Sequence, residues 1–114
     1  AGEYLYDTTV QFPAEATMEL GVGEGWNLKN WMYVTITNNT DETVYNMELM
    51  VALLDAEGNI LYTEYDSLYN TGILPGGSVV VRLEIPSEFM QYFEANSLTP
   101  ATVDAVAYVQ VDTF

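Results

Sequence analysis

The chain predicts an all-β, immunoglobulin-like sandwich of about seven strands with one short helix near 86–94. Three observations predict it. Apolar and polar residues alternate with period two along the chain, turn-forming residues recur between the alternating runs, and a single segment departs from the pattern toward helical spacing. Successive side chains of a strand point to opposite faces, so such alternation buries every second residue against a facing sheet.

The first strand, from Tyr4 to Phe12, places Tyr4, Tyr6, Thr8, Val10 and Phe12 on one face before Pro13 ends it. A short acidic strand follows from Thr17 to Val22. Gly21, Gly23 and Gly25 then form a flexible loop ahead of Trp26. From Trp31 to Thr37, Met32, Val34 and Ile36 are expected in the core, with Trp31, Tyr33, Thr35 and Thr37 on the opposite face.

Asn38 to Glu42 is a polar turn, after which Tyr45, Met47, Leu49, Val51 and Leu53 are expected to point inward. The run Asp55-Ala56-Glu57-Gly58-Asn59 makes a tight hairpin, with Gly58 free to take positive φ, and the next strand runs from Ile60 to Asp66. Leu74-Pro75-Gly76-Gly77 fits a type II turn, since proline presets φ at the second position and glycine accepts positive φ at the third. Val79, Val81, Leu83 and Ile85 then face inward. Pro86 to Glu94 reads as a helix crossing between the sheets, with Ser87 as its cap and Phe89, Met90 and Phe93 on one side. The final strand, Val103 to Asp112, offers Ala105, Ala107, Val109 and Val111 to the interior.

At 114 residues the chain fits one domain spanning 1–114, and its apolar and aromatic content supports a core without disulfides or metal. Seventeen acidic residues stand against Lys29 and Arg82, for a formal charge of -15. Phosphate backbones and anionic membranes call for Lys and Arg, so neither nucleic acid nor an anionic lipid surface is an expected partner. The absence of cysteine excludes a thiolate metal site and a thiol nucleophile. No run approaches the length of a membrane span, and Ala1-Gly2 opens no basic, apolar leader; a signal peptide or lipid anchor, if there was one, is expected to have been removed.

Three segments carry a family resemblance: Val-Thr-Ile-Thr-Asn-Asn-Thr at Val34 to Thr40, Met-Glu-Leu-Met-Val-Ala-Leu-Leu-Asp at Met47 to Asp55, and Ile-Leu-Pro-Gly-Gly-Ser-Val at Ile73 to Val79. Taken in this order they resemble the bacterial immunoglobulin-like domains named for a Phe-x-Leu-Tyr-Asp (FxLYD) signature. Leu53 and Asp55 match the signature, whereas Val51 stands at its Phe position and Leu54 at its Tyr position. The likeness covers about residues 31–112 and leaves 1–30 outside. It implies an extracytoplasmic accessory module of a secreted or envelope protein, and it brings no catalytic residues.

Without histidine or cysteine, the usual triads, imidazole bases and zinc sites cannot be assembled. Carboxylate chemistry remains, but glycoside hydrolysis needs two acids about 5 to 10 Å apart across a cleft that no segment suggests. The chain is therefore expected not to be an enzyme and to need no cofactor or metal. Asp55, Glu57 and Asn59 alternate in one turn, as calcium ligands do, yet they lack the EF-hand spacing, and turn formation accounts for them. The sequon Asn38-Asn39-Thr40 is likewise explained by its polar turn. Trp31 and Tyr33 are the candidate ligand-binding residues, because rings on an outward sheet face can anchor a protein interface or stack on a sugar. The expected role is that of a monomeric binding or spacer module outside the cytoplasm, with protein as its first candidate partner and glycan its second. A calcium-dependent adhesion module is the third reading.

Overall fold

A computed structural model describes residues 7–112. Its elements are β1 (Asp7–Phe12), β2 (Ala14–Val22), a single helical turn at Gly25–Asn27, β3 (Lys29–Thr37), β4 (Val44–Tyr45), β5 (Glu48–Leu54), β6 (Ile60–Ser67), β7 (Gly72–Ile73), β8 (Ser78–Glu84), α1 (Ser87–Ala95) and β9 (Thr102–Asp112). Seven strands are long, as the alternation predicts, and the two-residue strands β4 and β7 pair only with each other. One sheet has the order β1-β9-β5-β6 and the other β2-β3-β8, with every described pairing antiparallel. Lettered by the immunoglobulin scheme, the second sheet reads A-B-E and the first carries F, C and C′ at β9, β5 and β6. The place of strand G beside F is taken by β1, the earliest strand of the described chain.

Pro13 turns the chain from one sheet into the other, and its carbonyl accepts from Thr37 N at 3.0 Å. Proline suits this corner because it has no N–H to leave unpaired. The core lies between the sheets. Met32, Val34 and Ile36 of β3 are fully buried and belong to one cluster with Leu49, Val51 and Leu53 of β5, Leu83 and Ile85 around the end of β8, and Val103 and Ala107 of β9. Val79 and Val81 point inward but stay half-buried, since β8 is an edge strand covered from one side only. Both nominated turns form: Gly77 N bonds Leu74 O at 2.8 Å with Gly76 at φ 75°, and Gly58 N bonds Asp55 O at 3.1 Å with Gly58 at φ 85°.

One inward assignment needs correction, and several face assignments fall outside the described residues. Tyr45 is exposed, because Asn46 takes a left-handed conformation (φ 57°) between β4 and β5 and resets the parity that alternation assumes. Its ring instead lies over Gly72, where a Cβ would come within 2.6 Å of it. Val10 is 40% exposed on β1, an edge strand of its sheet, whereas Phe12 on the same face is buried. Tyr4 and Tyr6, and the side chains of Thr8 and Val111, lie outside the described residues.

The helix crosses from β8 in one sheet to β9 in the other, as expected. Pro86, not Ser87, holds the cap position, and no side chain caps the helix; Phe89 N bonds the Pro86 carbonyl at 3.0 Å. Phe93 enters the core and Met90 is half-buried, while Phe89 remains 38% exposed. At the other end Ser97 adopts φ 56°, and Leu98 N reaches back to Phe93 O at 2.8 Å. This Schellman closure also places Leu98 against the core beside the residue it bonds.

Candidate functional site

The outer face of the β2-β3-β8 sheet holds both sequence-nominated residues, Trp31 and Tyr33, each half-buried. Strand register explains what covers them. Tyr33 lies directly opposite Arg82 of β8, and Trp31 lies opposite Glu19 of β2 and Glu84 of β8. The Arg82 guanidinium sits 4.0 Å from the centroid of the Trp31 ring, so one ring face already has a cation on it. The Tyr33 hydroxyl donates to Glu19 Oε1 at 3.0 Å. That bond to a carboxylate, followed by desolvation, pushes the phenol above its usual range and keeps it a donor. Lys29 Nζ lies 3.4 Å from Glu84 Oε2 on the same face. Both basic residues of the chain are thus engaged by neighbours on this one surface. Side chains of the adjacent strands supply these contacts.

A second surface lies at the tip of the β2–β3 hairpin. Pairing of β3 with β8 stops at Trp31 and Glu84, whereas β2 and β3 continue outward to the pair Val22 and Lys29. Beyond the end of β8 the hairpin is therefore two-stranded, and little is left to cover its side chains. Trp26 is fully exposed at 102%, with Leu28 at 52% and Leu20 and Val22 also exposed. Gly21 (φ 68°) and Gly25 (φ 56°) supply the left-handed turns, and Gly21 N is held to Asn30 Oδ1 at 2.9 Å. Parity reasoning passed over Trp26 because a loop has no face to assign. The available signal was composition, since four large apolar residues between Leu20 and Leu28 stand among glycines with no alternation to bury them.

The sequon is a structural knot. Asn38 is wholly buried, and its Nδ2 donates to Glu42 O and Ile73 O at 2.8 Å each, while its Oδ1 accepts from Thr40 N at 3.0 Å and Thr40 Oγ1 at 2.6 Å. An amide so occupied presents no free nitrogen for a glycan.

The Asp55 turn closes in the same local manner. Asp55 Oδ1 accepts from Glu57 N and Asn59 N, both at 2.9 Å, and Oδ2 accepts from Asn59 Nδ2 at 3.0 Å. The Asn59 side-chain amide, aided by the Asn59, Glu57 and Gly58 backbone N–H groups, holds the carboxyl below its ordinary range. A carboxyl depressed in the folded state stabilises at pH values above its unfolded pKa, and that contribution is lost as pH falls through the folded one. The difference in melting temperature between the parent chain and Asp55→Asn should therefore shrink as the solution is acidified below the normal Asp range. A constant difference across that window would show that the charge of Asp55 contributes nothing. Among the described residues no three acidic side chains converge as a metal site would require.

No protein-family model, curated protein or solved structure matches the chain. Physical features alone rank the surfaces. The Trp31 and Tyr33 face is largely self-paired, and the hairpin tip exposes the larger unpaired apolar area.

Proposed function

We propose that this chain is a non-catalytic, extracytoplasmic binding module of the FxLYD-like immunoglobulin type, and that it contacts another protein through the β2–β3 hairpin. The observation that carries the reading is the fully exposed Trp26 on a projecting hairpin that also exposes Leu20, Val22 and Leu28. Tryptophan is the residue most enriched among interface hot spots, and a fully exposed ring on a hairpin that also exposes aliphatic side chains suits a protein pocket. A sugar platform would set exposed rings among polar groups, so glycan binding is the weaker reading for this surface. The charge of -15 opposes self-association and favours a monomer that meets a less acidic partner. Its place outside the cytoplasm rests on the FxLYD resemblance.

Replacing Trp26 and Leu28 together by Ser should leave the melting temperature nearly unchanged, because both side chains are already exposed. Trp31→Ser with Tyr33→Ser should instead cost about 1–3 kcal/mol, through lost ring burial and the lost cation–π contact. A photo-crosslinker at position 20, applied to surface extracts of the producing cells, should join one protein in the parent chain and none in the Trp26/Leu28 double variant. Retention on a glycan array that depends on Trp31 and Tyr33 would reverse the order of the two readings.

A further inference from the structure

A second exposed apolar surface lies far along the chain from the hairpin, where α1 meets β6. Leu61 of β6 and Glu88, Phe89, Tyr92 and Phe93 of α1 line an open groove of about 530 Å³. Spacing on the helix produces it, since positions 88, 89, 92 and 93 share one face. Phe93 forms the buried floor, while Phe89 and Tyr92 stay 38% and 58% exposed as its walls. The Phe89 ring also lies 4.8 Å from that of Tyr62, which fixes the helix against β6.

The strand beside this groove has an open edge. β6 is the outermost strand of its sheet, paired with β5 alone. The bond from Leu68 N to Met47 O at 2.8 Å settles the parity of that pairing: Tyr62, Glu64 and Asp66 turn their backbone groups toward β5, and Thr63, Tyr65 and Ser67 turn theirs outward. Asp66 Oδ1 occupies Ser67 N at 2.9 Å, closing the edge there. Thr63 and Tyr65 make no backbone bond beyond the sheet among the described residues, and β6 carries neither the lysine nor the proline that commonly blunts an edge.

We propose that this edge and groove together receive an extended, basic segment of another protein, which adds as a strand to β6 and seats one large apolar side chain between Leu61, Phe89 and Tyr92. Strand addition draws affinity from main-chain bonds and specificity from a pocket beside the edge, and both are present here. Charge selects the partner. Glu88 lines the groove and Glu64 lies on the strand, while Lys29 and Arg82 are engaged on the other sheet. A second copy of a chain with charge -15 would be repelled, whereas lysines flanking an apolar residue would be attracted.

The probe is a synthetic peptide, Lys-Val-Lys-Phe-Lys-Val-Lys, titrated into the isotopically labelled full chain and followed by amide NMR shifts. Shifts are expected at Thr63, Tyr65 and along Glu88 to Phe93, weakening as salt rises. Thr63→Pro removes an outward N–H without touching the β5 ladder, so it should fold normally and weaken binding by about tenfold or more. Glu88→Lys should weaken it similarly, and a peptide with Glu in place of Lys should not bind. Equal binding by the Glu peptide, unchanged affinity in folded Thr63→Pro, shifts confined to the hairpin tip, or β6-to-β6 dimers in sedimentation would each overturn the proposal.

Discussion

Replacing Asn38 by Ala should destabilise the domain by about 3–5 kcal/mol, a large effect for a polar residue in a turn. The reason lies in what the amide leaves behind. Its two N–H bonds satisfy the carbonyls of Glu42 and Ile73, and its oxygen satisfies the N–H and hydroxyl of Thr40. Truncation strands the Ile73 carbonyl in the core, takes the acceptor from Thr40 N and opens a void at a wholly buried site, while Glu42 O keeps its bond from the Thr40 hydroxyl; each unsatisfied buried group costs about 1–3 kcal/mol. The backbone of Asn38 also clamps the Pro75-Gly76 turn, with Asn38 N on Gly77 O and Gly76 N on Asn38 O. Asn38→Asp provides the sharper test. It keeps the shape but turns a donor into an acceptor aimed at two carbonyls, so its carboxyl should titrate above the normal range and the variant should gain stability as pH falls. Urea unfolding of both variants at neutral and mildly acid pH measures this. A loss below about 1 kcal/mol for Asn38→Ala would mean that water enters and replaces the amide.

Phe93→Ala should cost about 3–5 kcal/mol, the range for emptying a buried aromatic site. Phe93 is the fully buried residue of α1, and Leu98 N closes the helix on its carbonyl. Without the ring the helix keeps only the half-buried Met90 and the rim contact between Phe89 and Tyr62. Hydrogen exchange across Ser87 to Ala95 should therefore lose protection ahead of global unfolding. Tyr92→Ser, one position away but exposed, should change stability little. Equal effects of the two substitutions would mean that the helix is not held through Phe93.

The parts of this fold legible in the sequence are those whose physics is local. Period-two parity identified Met32, Val34 and Ile36, and also Leu49, Val51 and Leu53, because a strand face depends only on neighbouring residues. Pro75-Gly76 and Gly58 were legible through the backbone angles each residue allows. Parity failed at Tyr45, where one left-handed asparagine shifted the phase. It was right for Trp31 and Tyr33 as outward residues but silent about Arg82 and Glu19, which strand register brings opposite them. Asn38 looked like an ordinary turn residue, since nothing nearby in sequence announces that Ile73 O needs a donor. The groove beside β6 joins Leu61 to residues of α1, and no single segment displays it.

Strand β1 in the place of strand G has a consequence for how the chain reaches this fold. Its register pairs Asp7 with Asp112, joining strands separated by roughly a hundred residues. Lengthening so large a loop adds little equilibrium cost, because closure entropy grows only with the logarithm of length. The rate is another matter, as non-local pairings slow the search for the native topology. When the chain is made from its N-terminus, β5 and β6 can pair as a local hairpin, but β1 has no partner until β9 emerges. Sheet completion thus waits for β9, and until then the early strand depends on its own solubility or on a chaperone to avoid a wrong neighbour.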